Sequence, residues 1–250
     1  MALVLGAGCR SGPGVEPPLD RRIANAHDIV EWNRYRALRG DVHVRFEGSA
    51  AFDATFTYDI ATGRVRMQTA DDSILVFDGR QTWVSPANAA TQRARYHLLT
   101  WPFFITAPFR LSQPGASLGP VSMRPLGQQD LLSANLTFAP GGAAPPHDWY
   151  VLYVEPSTGL LRGIAYRATY GGSASPAAPQ PQAVTFYSYE NVEGVRIPGE
   201  WRFWKWNETV GIYDKPIGVG RVYNLQFIAP RADTFQRPPD ARPDSAPPAP

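Results

Sequence analysis

At 250 residues, the chain is long enough for one large domain or two small ones. Its net charge of +2 and its 24 scattered basic residues do not form the clustered basic surface of a nucleic-acid-binding protein, so we predict no nucleic-acid partner. The single cysteine, Cys9, excludes an intramolecular disulfide.

Cys9 follows a short apolar run and small residues at the start of the chain, in the order MALVLGAGC. This order resembles the lipobox of bacterial lipoproteins, in which the cysteine becomes the lipidated first residue of the mature protein. The run has no basic n-region, is shorter than the usual ~7–15 residues, and has Gly6 where the family usually has Leu; a start codon further upstream would supply the missing part. The resemblance implies that residues 1–19 are a truncated signal with a lipidated Cys9 and a flexible tether. The alternative is a cytosolic protein in which the thiol of Cys9 is unmodified and has no function.

Apolar residues at helical spacing predict a first helix over residues 21–38, with Asp20 as a possible N-cap. Trp32 and Tyr35 lie off its apolar stripe. The helix is therefore predicted to be apolar on more than one side, or to be broken near Asp28.

From residue 41 the period of the apolar residues changes to two, which is typical of half-buried antiparallel strands. This alternation predicts strands over residues 42–46, 52–60, 65–69, 74–77, 82–84, 131–138, 149–154, 161–170, 183–189, 200–207 and 219–228. No strand–helix–strand alternation occurs. We therefore predict a mainly β (α+β) fold: one antiparallel sheet of about 10–11 strands with 2–3 helices packed on one side.

Residues 230–250 contain mostly Pro, Ala, Asp and Arg and offer little apolar surface to bury. This composition predicts a disordered, Pro-rich tail. Residues 20–229 are then a single domain.

The most concentrated apolar and aromatic run lies between the two blocks of strands, at residues 95–111 (RYHLLTWPFFITAPFRL). Pro102 and Pro108 each remove a backbone donor, which predicts two short helical pieces instead of one long helix. The charge-free run between Arg95 and Arg110 is shorter than the roughly 20 residues that span a bilayer. The segment is therefore predicted to plug a core or to cover a cavity as a lid.

The order of elements is similar to that of the LolA/LolB-like carriers of outer-membrane lipoproteins, over residues 20 to 230. The residues that carry the likeness are Trp32, Val76-Phe77-Asp78-Gly79 with Trp83, Leu98–Phe104 with Ala107-Pro-Phe109, Asp148–Val154, and Gly194–Pro198. The likeness is to an uncharacterised bacterial branch of lipoprotein-sorting proteins. LolB has a protruding apolar loop between its third and fourth strands, whereas residues 70–73 here are short and acidic.

The resemblance implies a curved, unclosed antiparallel half-barrel whose concave face holds acyl chains under a helical lid. We predict that the lid and the cavity are formed by bulky apolar residues, namely Phe46, Phe56, Trp83, Leu98, Trp101, Phe103, Phe104, Phe109, Trp149, Trp204 and Trp206. Each buried acyl CH2 contributes about 0.8 kcal/mol, so a chain of about ten carbons binds without polar contacts. Arg45, Arg95 or Arg110 would meet a carboxylate or phosphate at the rim. The alternative is that these aromatic residues form a large ordinary core.

Catalytic motifs are weak in this sequence. His27, His43, His97 and His147 show no zinc-ligand spacing, and there is no nucleophile elbow or phosphate-binding loop. His147 and Asp148 are adjacent in a predicted strand, where their side chains would point to opposite faces. We predict no enzymatic activity, no cofactor and no metal.

These observations predict a monomeric cell-envelope lipoprotein that binds a lipid or a lipoprotein acyl chain. The lipoprotein resemblance implies that it faces the periplasm. Arg10, and not Asp, follows the cysteine; by the sorting rule of the best-studied enterobacterial lipoproteins, this implies an anchor in the outer membrane through Cys9. The alternative function is an envelope protein-interaction or sensor module with a filled core. An enzyme on the same scaffold is a third possibility, because fold does not fix function.

Overall fold

The structure is a computed structural model that describes residues 16–91, 93–111, 115–139, 149–167 and 180–244. Cys9, most of the predicted leader and tether, and the pair His147 and Asp148 lie outside these described residues.

Fourteen strands and three helices occur within the described ranges. The helices are α1 (Leu19–Ala26), α2 (Ile29–Trp32) and α3 (Ala94–Arg110). The strands are β1 (Ala37–Phe46), β2 (Phe52–Asp59), β3 (Val65–Thr69), β4 (Ile74–Phe77), β5 (Thr82–Ser85), β6 (Ala116–Leu118), β7 (Ser122–Leu126), β8 (Gln129–Phe138), β9 (Tyr150–Val154), β10 (Leu161–Tyr166), β11 (Gln182–Val192), β12 (Val195–Asn207), β13 (Gly211–Ile228) and β14 (Arg242–Pro243).

All of these strands belong to one antiparallel sheet with the order β14-β5-β4-β3-β2-β1-β13-β12-β11-β10-β9-β8-β6, and β7 pairs with β8. The first strand joins the last long strand, with Val42 opposite Val222, and this pairing links the two blocks of strands. The sheet does not close, and the three helices lie on it as in an unclosed half-barrel with a helical lid. The predicted fold class is confirmed. The sequence pattern did not predict β6, β7 and β14.

The two faces of the sheet are both apolar over part of its width. In β9, Tyr150, Leu152 and Val154 join the large core that includes α3, whereas Val151 and Tyr153 join a second, smaller cluster. Successive side chains of a strand point to opposite faces. We call the side with α3 the helix-covered face and the other side the opposite face. The second cluster consists of Leu126, Leu131, Val151, Tyr153, Ala165, Ala183 and Trp206.

The predicted N-terminal helix is shorter than its apolar pattern suggests. It breaks at Asp28, which has a left-handed φ of 63° and accepts a hydrogen bond from the Glu31 N–H at 3.3 Å as the N-cap of α2. The predicted break near Asp28 is therefore confirmed. The extension of the helix to Leu38 is wrong, because Leu38 is already part of β1 and pairs with Tyr58. Pro18, and not Asp20, occupies the N-cap of α1.

The predicted division of residues 95–111 into two helical pieces is also wrong, because α3 is continuous through Pro102 and Pro108. A proline inside a helix costs about 3 kcal/mol. Packing outweighs that cost, because 13 of the 17 residues of α3 are buried. In addition, the Thr106 hydroxyl donates to the Pro102 carbonyl at 2.7 Å. Of the helices that the structure describes, none has the length and apolar character needed to cross a bilayer.

The C-terminal segment differs from the predicted disorder over residues 230–244. Phe235 and Ala241 are buried, and Arg242 lies opposite Val84 in the pairing of β14 with β5. The Arg242 guanidinium also donates to the carbonyls of Ala87, Ala89 and Thr91. Backbone pairing and these donated hydrogen bonds order a segment with few apolar side chains. We call residues 235–244 the C-terminal strap.

Candidate functional site

Helix α3 lies across the helix-covered face, in contact with β3, β4 and β5 on one side and with β12 on the other. It also contacts α1. The helix has apolar residues around most of its circumference because the sheet and the other helices cover it on several sides.

The centre of α3 is held by aromatic contacts to the sheet. The Phe104 ring is 5.1 Å from that of Tyr166 and 6.1 Å from those of both Trp201 and Phe203. The Trp101 ring lies 6.0 Å from Phe203. Aromatic pairs at these distances add to the stability that apolar burial provides.

Glycine on β13 makes room for these rings. A Cβ atom at Gly220 would lie only 2.9 Å from Cε3 of Trp201, and one at Gly218 would lie 2.7 Å from Cδ1 of Phe46. Both distances are shorter than van der Waals contact. The helix-covered face can therefore carry large aromatic groups because the neighbouring strand has no side chains at these two positions.

The C-terminal end of α3 is fixed by Phe109. Its ring stacks on that of Trp32 in α2, with centroids 4.1 Å apart and an interplanar angle of 5°. His27 contacts the same ring edge-on at 6.1 Å. Since α2 precedes β1 directly, this stack attaches the end of α3 to the N-terminal helices.

The N-terminal end of α3 is capped by the C-terminal strap. Arg93, at the N-cap, has a left-handed φ of 56° and makes no side-chain cap. The Asp244 carboxylate instead accepts from the Arg95 N–H at 2.8 Å, and the Asp244 N–H donates to the Thr82 carbonyl at 2.9 Å. A carboxylate satisfies an unpaired N–H and interacts favourably with the helix dipole there. The strap thus holds α3 against the edge strand β5.

Replacing Asp244 with Ala should lower the free energy of unfolding by about 1 kcal/mol, because one cap is lost. Urea denaturation measures this change. Asp233→Ala is the matched control, since Asp233 is a carboxylate of the same C-terminal segment that pairs with Arg231 on the surface, 61% exposed. That control should change stability by less than about 0.5 kcal/mol. Equal losses in the two variants would contradict a capping role for Asp244.

Most of the predicted site residues come together on the helix-covered face. This set consists of Phe46, Phe56, Leu98, Trp101, Phe103, Phe104 and Phe109. All of them are buried except Phe46, which is partly buried and packs 4.8 Å from the Phe203 ring.

The other predicted site residues lie on the opposite face and cannot touch a ligand under α3. Trp206 belongs to the second cluster, donates from Nε1 to the Tyr153 hydroxyl at 2.9 Å, and packs 5.4 Å from Trp149. Trp204 donates to the Thr185 hydroxyl at 2.8 Å; the two neighbours of Thr185 in β11 face the helices.

Trp83 is likewise displaced from the predicted site. Its neighbour Val84 faces the core, so Trp83 points away from α3. Its Nε1 donates to the Asp78 carboxylate at 2.8 Å, and the Arg237 guanidinium of the strap lies 4.6 Å above its ring. Trp83 therefore helps to attach the C-terminal strap to the sheet.

Trp201, Phe203 and Tyr166 belong to the helix-covered face but were not predicted as site residues. The two-residue period of β12 separates Trp201 and Phe203 from Trp204 and Trp206 in the sequence. It does not tell which of the two faces the helices cover.

The three predicted rim arginines have different environments. Arg45 is exposed and follows the buried Val44, so it lies on the opposite face. The Arg95 guanidinium lies 5.8 Å from the Phe77 ring. Arg110 is buried on the helix-covered side, 5.8 Å from the Phe103 ring.

Two histidines hold structural positions around α3. His27 is fully buried; its Nδ1 donates to the Arg196 carbonyl at 2.6 Å, and its Nε2 accepts from the Leu161 N–H at 3.2 Å. Burial lowers its pKa to about 4. His97 stacks on Phe52 at 3.9 Å and accepts from the Trp101 indole N–H at 3.0 Å, and burial also lowers its pKa to about 4. Both rings are neutral at pH 7 and are used in packing.

Comparison with solved structures gives similarity in fold at low sequence identity. A LolA superfamily protein from Nitrosomonas europaea matches with a TM-score of 0.54 and 9% identity, over 87% of this chain and 97% of that one. A DUF1329 family protein from Desulfovibrio piger matches with a TM-score of 0.49 and 11% identity, over 88% of this chain and 97% of that one. A domain assigned to outer membrane lipoprotein sorting from Vibrio parahaemolyticus matches with a TM-score of 0.48 and 7% identity, over 86% of this chain and 97% of that one.

No protein-family model matches the chain, and no curated protein matches its sequence. The similarity to the Nitrosomonas europaea protein confirms, at the level of the fold, the LolA-like resemblance that the sequence motifs carry.

Proposed function

We propose that this protein is a non-catalytic cell-envelope binder that holds an acyl chain of a lipid or lipoprotein between α3 and the helix-covered face. The observation that carries the proposal is α3 itself: a 17-residue apolar helix that lies on the face of an unclosed sheet and is attached there by side chains and one cap. The similarity in fold to a LolA superfamily protein supports the same function.

An acyl chain is chemically suited to this face. The residues under α3 are aromatic and aliphatic, and those contacts are non-directional, so a hydrocarbon chain can replace them. Each CH2 that enters contributes about 0.8 kcal/mol, and a chain of about ten carbons offsets the loss of a few ring contacts. Binding therefore requires that α3 moves outward from the sheet.

Cys9 belongs to the same proposal as the membrane anchor. Lipidation at Cys9 would place the domain on the periplasmic side of the outer membrane. Expression in a bacterial host with a radiolabelled fatty acid should label the parent chain and not a Cys9→Ala variant. Equal labelling of the two proteins would contradict an anchor at Cys9.

Native mass spectrometry of protein purified from bacterial membranes tests the binding function directly. We expect a fraction of the protein to carry an additional mass that corresponds to a lipid, and the lipid-free protein to take up a fluorescent fatty acid. Protein that is uniformly free of lipid and that takes up no fatty acid would contradict acyl-chain binding.

A second candidate function is a protein-interaction module with a filled core. Two observations favour it: aromatic rings pack closely throughout α3, and large apolar side chains are exposed elsewhere. The exposed residues are Val30 in α2 (71% exposed) and Val121 and Met123 at β7 (50% and 53% exposed). A partner captured by the parent and lost in Met123→Asp, but retained when Phe103 or Phe104 is replaced, would favour this function.

A further inference from the structure

Arg110 is a buried cation at the end of the lid helix. It is the last residue of α3 and only 7% exposed. Its guanidinium carbon lies 5.8 Å from the centre of the Phe103 ring, which is seven residues earlier and on the same side of the helix. Phe109 and Leu111, its neighbours in the chain, are buried as well. Arg110 is thus largely buried, and its guanidinium packs against an aromatic ring of the helix-covered face.

The guanidinium has no acidic partner in the described part of the chain. The ion pairs there involve other cations. Its Nε is buried and has no hydrogen-bond partner among the described residues. Of the 22 acidic residues, only Asp148 lies outside the described ranges.

A buried charge without a counterion is strongly unfavourable. Two features compensate in part: the negative end of the α3 dipole and the face of the Phe103 ring. Neither of these two features accepts a hydrogen bond from the N–H groups of the guanidinium. Its planar, fork-shaped set of N–H groups matches the oxygens of a carboxylate or phosphate, which it binds through paired hydrogen bonds.

We propose that Arg110 binds the anionic head group of an amphiphile whose acyl chain lies under α3. The inference rests on the proposed acyl-chain binding and narrows the ligand. The acyl anchor of a lipoprotein contains ester, amide and thioether groups and carries no charge, so it offers nothing to Arg110. A fatty acid, with its carboxylate, and a phospholipid, with its phosphate, each offer an anion at one end of the chain.

The test uses pairs of ligands that differ only in the head group. Oleate is compared with oleyl alcohol, and phosphatidylglycerol with diacylglycerol of the same chains, by displacement of a fluorescent fatty-acid ester at pH 8. The proteins are the full chain, Arg110→Met, which replaces the charge with a flexible apolar group, and Arg110→Lys, which keeps the charge without the fork.

The full chain should bind an anionic ligand at least about tenfold more tightly than its neutral counterpart, as a charge-assisted hydrogen bond provides. Arg110→Met should bind both members of a pair equally, at the affinity of the neutral ligand, and Arg110→Lys should keep part of the preference. A preference for oleate alone identifies the carboxylate as the head group, and one for phosphatidylglycerol identifies the phosphate.

Other outcomes separate the two proposals. If the full chain binds oleate and oleyl alcohol equally, and phosphatidylglycerol and diacylglycerol equally, the head-group site is overturned and acyl-chain binding stands. If it binds no member of either pair, acyl-chain binding is overturned, and the head-group site with it. Thermal unfolding without ligand adds a second measure: Arg110→Met should raise Tm, because it removes an unpaired buried charge. If Arg110→Met instead lowers Tm, and Asp148→Asn lowers it by the same amount, Arg110 and Asp148 form an ion pair in the native protein. That result would overturn the head-group site.

Discussion

Replacing Phe109 with Ala should lower the free energy of unfolding by about 3–5 kcal/mol, the range for removal of a buried phenylalanine. The same change should raise the apparent affinity for a fatty acid. Phe109 is 3% exposed and stacks on Trp32 at 4.1 Å, so its removal loosens the end of α3. If the ligand binds only when α3 has moved outward, its apparent dissociation constant falls as the open fraction rises. A variant that is less stable but binds a fatty acid more tightly would distinguish an opening of α3 from a simple loss of packing.

Phe109→Leu gives a milder form of the same experiment in a protein that stays folded. It keeps most of the buried apolar volume and removes the ring stack, which is worth about 1 kcal/mol. A population shift of that size strengthens binding about fivefold. Chemical denaturation and fatty-acid titration of the same samples measure both quantities.

Trp206→Leu is the matched control, because Trp206 is an equally buried aromatic residue on the opposite face. It should lose stability, through its ring and its hydrogen bond to Tyr153, and leave the affinity for a fatty acid unchanged. If Phe109→Leu loses stability without any gain in affinity, α3 is a fixed part of the core, which favours the interaction module.

The parts of the fold that were predicted correctly depend on local chemistry. Alternation over residues 42–46 and 52–60 specifies half-buried strands. Turn residues such as Gly79, with a φ of 98°, specify the hairpin between β4 and β5 because few other residues adopt that backbone angle. These signals lie within a few residues of one another. They depend little on the rest of the molecule.

The incorrect predictions, for α3 and for the C-terminal strap, have causes that lie far apart in the sequence. Pro102 and Pro108 are strong helix breakers in isolation, and only the burial of α3 by the sheet and the other helices makes a continuous helix favourable. The strap is polar in composition, and its order comes from pairing with β5, more than 150 residues earlier in the chain.

The candidate site was predicted in part for a related reason. A period of two establishes which residues share a face, so Trp204 and Trp206 were correctly separated from Trp201 and Phe203. Which face the helices cover depends on where α3 packs, and the sequence contains no local signal for that. Selection by aromatic content alone therefore included Trp83, Trp149, Trp204 and Trp206 and omitted Trp201 and Phe203.

Acidification from pH 6.5 to pH 4 should destabilise the protein, and His27 should account for up to about 3 kcal/mol of the loss. The pKa of His27 is lowered by burial from 6.5 to about 4 in the folded protein. Between these two values the unfolded chain binds more protons than the folded protein, so the free energy of unfolding falls as the pH decreases. Above pH 6.5 both states are neutral at this position, and the full contribution is present.

The groups that face His27 strengthen this dependence. Its Nε2 accepts from the Leu161 N–H, so a proton on Nε2 breaks that hydrogen bond, and the positive charge of Arg196 disfavours a second cation nearby. The rings of Phe109 and Tyr189 complete the environment of the imidazole, and no carboxylate of the described residues forms a hydrogen bond or an ion pair with it. Urea denaturation at half-unit intervals of pH measures the slope.

His27→Gln separates this residue from the other acid-sensitive groups. The variant should be less stable than the parent at pH 7.5, because Gln cannot reproduce both hydrogen bonds, and its stability should fall less steeply between pH 6.5 and 4. His97 should provide the remaining slope, since its pKa is also lowered to about 4. The carboxylates of Asp59 and Asp78, whose pKa values are lowered by hydrogen bonds that offset the opposing effect of burial, lose their contribution only at lower pH. A parent protein whose stability is constant from pH 6.5 to 4.5, or a His27→Gln variant with the parental slope, would show that the buried imidazole does not control the response to acid.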